Sequence, residues 1–460
     1  MSVATEHPGT GRGRWIDDWR PEDPGFWEST GKKIANRNLW FSVFSEHIGF
    51  SIWSLFAVLT LFMGPAYGID TAGKFFLVSM PTLIGSVLRL PYSMAVAVVG
   101  GRNWTIISAA LLLIPSILLA IVMHPGTSYT TFMVVAAIAG VGGGNFASSM
   151  TNINAFFPEK EKGKALGLNA GGGNLGVAVI QLIGLLIIAT AGTGAPRIVL
   201  AVYIPLIVLA LLGAVFFMDN LSSVRNDTGA LKEAARDAQT WIISFLYIGT
   251  FGSFIGYSFA FGLVLQNQFG RTPLQAASIT FIGPLLGSLI RPVGGMLSDR
   301  IGGTKVTFWN FVAMAVSALI CIGASGIKSL PLFVIGFVLL FITSGIGNGS
   351  VYKMIPAIFR TKALAASESR GWDQEGALLW ARRISGAVIG IAGAIGAFGG
   401  LLINLAFRAS FQSTKSGTPA FWAFVAFYAV CFVVTYVVYM RNAKAATDPK
   451  TGSKVSYASV

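Results

Sequence analysis

Twelve long apolar runs leave this chain few folds to choose from. Only 11% of its 460 residues are charged and 54% are apolar, whereas a soluble globular chain carries about 25% charged residues. A water-exposed chain of this length has no means of hiding so much apolar surface. The runs fall approximately at 38–63, 75–99, 104–124, 131–157, 166–190, 197–218, 240–267, 273–297, 304–327, 331–359, 384–408 and 419–441. Each has the length, about 20 residues, that a helix needs to cross a bilayer. Within lipid a helix satisfies its own backbone polar groups. The expected fold is therefore all-α and integral to the membrane, with twelve transmembrane helices in two six-helix bundles. Residues 1–37 are polar and lack the apolar core of a cleavable signal peptide.

Arginine and lysine set the orientation. The segment 1–37, the even-numbered loops and the tail 442–460 with its preceding Arg441 hold 24 of the 33, and the odd-numbered loops hold six. Both termini are expected in the cytoplasm, with the chain in the cell inner membrane. The net charge of +14 reads as this topological signal and not as a nucleic-acid surface. Cys321 and Cys431 both lie within apolar runs, where packing is their expected role.

The chain also repeats itself. Leu83-Ile84-Gly85-Ser86-Val87-Leu88-Arg89 returns as Leu285-Leu286-Gly287-Ser288-Leu289-Ile290-Arg291, 202 residues later. Gly142, Gly144, Asn145 and Phe156 return as Gly345, Gly347, Asn348 and Phe359 at an offset of 203. A polar stretch, 219–239, separates the copies, so the expected bundles are 38–218 and 240–441. Parallel six-helix repeats of this kind build secondary transporters.

Each copy sets one arginine deep in an apolar run. That costs roughly 2.5–3.5 kcal/mol on insertion scales, so such residues face a cavity and serve a function. Arg89, Arg291 and Lys353 lie within the runs, and Glu46 is the one acid expected to be buried there. Two permanent cations with little compensation predict an anion site. The flat guanidinium fork suits a planar oxyanion, pairing with two of its oxygens at once. Glycine runs at 142–144 and 171–173 let helices approach closely, and the rings of Phe146, Tyr247, Phe251 and Phe254 are candidates to flank a small planar ion.

Gly294-Gly295-Met296-Leu297-Ser298-Asp299-Arg300-Ile301-Gly302-Gly303 resembles the signature loop of the major facilitator superfamily, in which an aspartate and an arginine latch neighbouring helices. The first half keeps Gly100-Gly101-Arg102 without the aspartate, so its latch is expected to be weaker or built differently. The run Gly167–Gly176 resembles the nitrate signature of the nitrate/nitrite porter family, with a counterpart at Gly390–Gly400. Trp19-Arg20-Pro21-Glu22-Asp23-Pro24 and Asn145-Phe146-Ala147-Ser148-Ser149-Met150 are similar to its bacterial branch. The resemblance covers nearly the whole chain. It implies that Arg89 and Arg291 grip nitrate or nitrite, that Phe146 and Phe251 sandwich and gate the anion, and that Tyr247 and Asn174 hydrogen-bond its oxygens. It further implies that Gly171, Gly173, Gly396 and Gly399 form a packing surface for rocking, and that the porter works as a monomer. Gly393 stands where some relatives carry a serine, which puts a hydrogen bond from that position in doubt.

Glu46 and His47 adjoin in the first run. Relatives that exchange nitrate for nitrite carry apolar residues at these positions, and members resembling this chain are associated with proton-coupled uptake. A buried carboxyl beside an imidazole can trade a proton near neutral pH. Moving an anion inward against an inside-negative potential costs about 2.3 kcal/mol per charge per 100 mV, which a co-transported proton offsets. Lys353 is expected either as a third charge in this circuit or as the static partner of Glu46. Nitrate/proton symport is the favoured reading, with nitrate/nitrite antiport, or a carrier of another small oxyanion, as the alternatives. The runs hold no metal-ligand cluster, nucleophile–base pair or nucleotide loop, so an enzyme, a metal and a cofactor are not expected.

Overall fold

A computed structural model of the chain describes residues 14–370, 373–441, 445–447 and 454–457. Among them eleven helices are long and apolar enough to cross a membrane, and one bent pair makes twelve. The bent pair is α1, Pro24–Trp53, which turns by 41° into Leu55–Phe62. It is followed by α2 (Thr71–Val99), α3 (Gly101–Val122), α4 (Tyr129–Phe156), α5 (Glu159–Ala191) and α6 (Arg197–Phe217). The remaining spans are α7 (Ala238–Phe269), α8 (Pro273–Ile301), α9 (Gly303–Gly326), α10 (Leu330–Arg370), α11 (Gln374–Thr414) and α12 (Thr418–Arg441).

The chain divides into two compact units, one of residues up to 68 with 83–226, the other of 69–82 with 227 onward. The start of α2 thus packs with the second unit, where Phe75 stacks on Phe407 and Phe411 at 5.7 and 5.1 Å. The repeat seen in the sequence recurs in the backbone. Gly100 and Gly302, which open α3 and α9, have φ of 92° and 91°, a region that favours glycine.

In the first unit α1 begins well before the apolar run. Asp23 caps it, its Oδ1 accepting from the amides of Gly25 (2.9 Å) and Phe26 (3.3 Å), and Pro24 takes the first helical position. The described part of the polar N-terminal segment, residues 14–37, is folded. Strand β1 (Trp15–Ile16) pairs in parallel with β2 (Asn220–Leu221). Ile16, Trp27 and Leu39 share an apolar cluster with Ile153, Phe156, Phe157 and Leu221.

The ion pairs of this half centre on an acid outside the Gly100-Gly101-Arg102 loop. Asp219, fully buried just beyond α6, accepts from Arg14 Nε (3.0 Å), Arg37 Nη2 (2.6 Å) and Asn38 Nδ2 (2.8 Å). Arg102 Nη2 donates instead to the Val215 carbonyl at 2.8 Å.

In the second unit the helix Thr228–Arg236 lies between the halves of the sequence. The charged residues beyond the tenth apolar run continue α10 to Arg370, and those before the eleventh open α11 from Gln374. Its Arg383 pairs with Asp227 and Glu233 of the linker, and Lys362 pairs with Asp237. Two short strands, β3 (Ala445–Thr447) and β4 (Lys454–Ser456), pair antiparallel. Tyr457 just beyond them accepts at its carbonyl from Thr304 Oγ1 (2.6 Å). Cys321 and Cys431 are buried, unbridged thiols.

Candidate functional site

Among the described residues the buried charged side chains are Glu46, Arg89, Asp219 and Arg291. Asp219 holds its cations near the end of α6; the other three lie deep within spans.

In the first unit Arg89, on α2, is 1% exposed. Its guanidinium carbon lies 4.7 Å from the centroid of the Phe146 ring on α4 and 5.5 Å from that of Trp53 on α1. A cation over ring faces gains roughly 2 kcal/mol or more when desolvated. These rings flank the charge inside the span. Phe50 braces both rings edge-on, at 5.2 Å from Trp53 and 6.0 Å from Phe146. Asn174, on α5, is 1% exposed and neither of its amide atoms has a hydrogen-bond partner. Buried amides are ordinarily satisfied, so an unmet pair fits a ligand-binding role.

In the second unit Arg291, on α8, is 8% exposed. Its Nη2 donates to the Tyr247 hydroxyl at 3.3 Å, its Nη1 has no hydrogen-bond partner, and its guanidinium lies 5.3 Å from the Tyr352 ring. Tyr247 stacks on Phe251 at 5.2 Å with 9° between the planes. Directly after Tyr247, α7 widens into a π turn over Ile248–Gly252; such turns recur at functional sites. Phe254 extends the stack, 6.5 Å from Phe251.

The signature glycines differ in how crowded they are. A Cβ at Gly396 would lie 2.4 Å from Tyr247 Cδ1, and one at Gly399 2.8 Å from Gly252 Cα. One at Gly173 would lie 2.2 Å from Glu46 Oε1, whereas at Gly171 it would meet nothing within 4 Å.

Glu46 is fully buried. Its Oε2 accepts from Asn169 Nδ2 at 2.7 Å and from the Ser149 hydroxyl. His47 turns to α5, where its Nδ1 donates to the Gly172 carbonyl at 3.0 Å. Lys353 departs from expectation. Its Nζ lies 2.8 and 2.9 Å from the two carboxylate oxygens of Asp299, and both side chains are about half exposed. It pairs with the aspartate of the signature loop and is not a buried partner of Glu46. An amine on a four-carbon stem reaches outward to water and to an acid one helix away.

Sequence reasoning missed Trp53 and Tyr352 as ring partners of the arginines, and Asn169 and Ser149 as partners of Glu46. Tyr352 had one signal, a hydroxylated ring in the glycine- and serine-rich stretch of α10.

Residues 39–368 match the family model of the Major Facilitator Superfamily. The chain is 39% identical over 447 residues to the nitrate/nitrite transporter NarU of Salmonella typhimurium, covering 93% of this chain and 96% of that one. This chain belongs to the nitrate/nitrite porter family of the major facilitator superfamily. NarU of Escherichia coli is equally similar, 39% identical over 447 residues with the same coverage of both chains. The probable nitrate/nitrite antiporter NarK2 of Thermus thermophilus is 33% identical over 460 residues, covering 94% of this porter and 98% of itself. The crystal structure of the human organic anion transporter MFSD10 matches with a TM-score of 0.59 at 12% identity, over 87% of this chain and 99% of that one. That likeness is one of fold.

Proposed function

We propose that this multi-pass membrane protein carries nitrate and nitrite by alternating access, and that nitrate moves inward together with a proton. One observation carries the reading. Arg89 and Arg291, repeat equivalents, are both buried against aromatic rings, and the chain is 39% identical to proteins named nitrate/nitrite transporters. On this reading each guanidinium pairs with oxygens of one planar anion. Arg291 Nη1 and the Asn174 amide supply charge-assisted and neutral hydrogen bonds, and Phe146 and Phe251 cover the faces of the ion. Anion binding removes the repulsion between the two cations and so lowers the barrier to closing the halves. The protein acts as a carrier and not an enzyme, as a monomer in the inner membrane, with both termini in the cytoplasm.

Glu46 and His47 are the proton-coupling residues on this reading, and Lys353 drops out because Asp299 holds it. A second reading, nitrate/nitrite exchange, has the name of the Thermus thermophilus relative in its favour. Proteoliposomes loaded with a pH-sensitive dye separate the two. Symport acidifies the lumen as nitrate enters vesicles that contain no nitrite, and Glu46→Gln abolishes that acidification while nitrate binding persists. Uptake that requires internal nitrite and leaves the lumen pH unchanged establishes exchange. Chlorate and formate should compete for uptake; phosphate and sulfate, being tetrahedral, should not.

A further inference from the structure

A small polar pocket lies within the first unit, against Glu46. Ser45 and Glu46 of α1, Thr105 and Ser108 of α3, and Asn145 and Ser148 of α4 line it. Its room for a water-sized sphere, about 10 Å³, is at the lower limit for one water, and a buried water needs two to four polar partners. Two are available. Ser45 is 5% exposed and its hydroxyl has no hydrogen-bond partner; Asn145 is 4% exposed and its Oδ1 likewise has none. One group can donate and the other can only accept, which matches a water that accepts one bond and donates another.

Of the other hydroxyls, Thr105 donates to the Gly101 carbonyl (2.8 Å), Ser108 to Thr105 (3.2 Å) and Ser148 to Asn145 (3.1 Å), while Ser42 donates to the Ser149 hydroxyl (3.3 Å). Each therefore offers lone pairs to the pocket. Glu46 also meets Asn169 and Ser149, the latter itself on the pocket wall, both donating to Oε2. Neither an amide nor an alcohol is acidic enough to supply a proton. Glu46 is the one carboxyl among the side chains lining the pocket, and the rest are alcohols and an amide. His47, next in the chain, is turned to Gly172 on α5.

We propose that this pocket binds a single water, held by Ser45 and the Asn145 carbonyl oxygen, through which the Glu46 proton arrives and leaves. In the loading step the carboxylate takes a proton from the protonated water and leaves H2O in the pocket; in the reverse step H2O takes it back. The inference rests on the proton-coupling reading of Glu46.

Infrared difference spectroscopy on the full-length protein in liposomes tests it. The Glu46 carboxyl band is assigned by its loss in Glu46→Gln, and its response to a pH jump is timed. Ser45→Ala should slow that response at least tenfold without changing nitrate affinity. Ser45→Cys, of similar volume and a weak hydrogen-bonder, should slow it too, whereas Ser45→Thr should stay near wild type. A wild-type rate in Ser45→Ala and Ser45→Cys, or a Glu46 band that never follows pH, overturns the proposal. So does nitrate uptake that depends on sodium at fixed pH, which would make the oxygen-lined pocket a metal-ion site. Lumen acidification is measured separately. Its absence in the wild type would remove symport, while the infrared comparison would still decide whether this water serves Glu46.

Discussion

The Arg89 guanidinium sits 4.7 Å from the centre of the Phe146 ring, and Trp53 covers it from a second side at 5.5 Å. The buried ring offers the cation a polarisable face in place of water. Phe146→Leu keeps the apolar bulk and removes the face, at a cost of about 1–2 kcal/mol in the position of the charge. The expected outcome is a rise in KM for nitrate of roughly tenfold, with helical content unchanged by circular dichroism. A wild-type KM would reduce Phe146 to a packing residue.

Arg291 donates to Tyr247 with one nitrogen and leaves Nη1 without a protein partner. Lysine at this position keeps the charge but offers a point donor in place of a fork. Either it satisfies Tyr247 or it reaches the anion. Arg291→Lys, and Arg89→Lys by the same reasoning, should reduce nitrate uptake into proteoliposomes about a hundredfold. Insertion and yield should stay normal because net charge and span length are preserved. Uptake at the wild-type rate in both variants would reject the proposed anion site.

The linker Asp227 pairs with Arg383 at the start of α11, Nη2 lying 2.9 Å from Oδ1. The hydrogen bond from Arg383 is the largest of the influences that hold the Asp227 carboxyl down at about 2, below its ordinary 3.8; the Ala230 amide adds to it. A depressed carboxyl stabilises the folded state above its unfolded pKa, and that contribution is lost as pH falls through the folded one. The loss therefore lies between about pH 4 and pH 2. Both groups are largely exposed, so the effect is small and salt-sensitive. Thermal melts in detergent should show Asp227→Asn with a shallower decline across that window than wild type, and the gap should close in high salt.

Much of the architecture was legible because lipid imposes a length and an apolar character on every span. The arginines stood out for the complementary reason, since a charge in that setting needs a purpose. Helix ends were less legible: hydropathy reports the thickness of the bilayer, and α10 and α11 both run well past their apolar stretches. The partners of polar groups were illegible. Asp219 meets Arg14 and Arg37 from positions 205 and 182 residues away, and no local motif announces such a contact. The alternatives open for Lys353 had the same origin. Composition placed it within a span, and only the fold turns its amine to Asp299.

The signature glycines offer a sharper test, because four residues that look alike in the sequence occupy unlike surroundings. At Gly396 an added methyl would press on Tyr247 Cδ1 at 2.4 Å, and the Tyr247 ring is itself stacked on Phe251. Relief requires moving the ring whose hydroxyl receives Arg291. Overpacking of this kind costs about 1–3 kcal/mol. Gly396→Ala should therefore lower the apparent melting temperature by several degrees and weaken nitrate binding together with it. Gly171 faces open space, and alanine in a helix is favoured over glycine by about 0.8–1 kcal/mol. Gly171→Ala should melt at or above the wild-type temperature. Equal destabilisation of both variants would mean that crowding at Tyr247 is not what requires glycine at position 396.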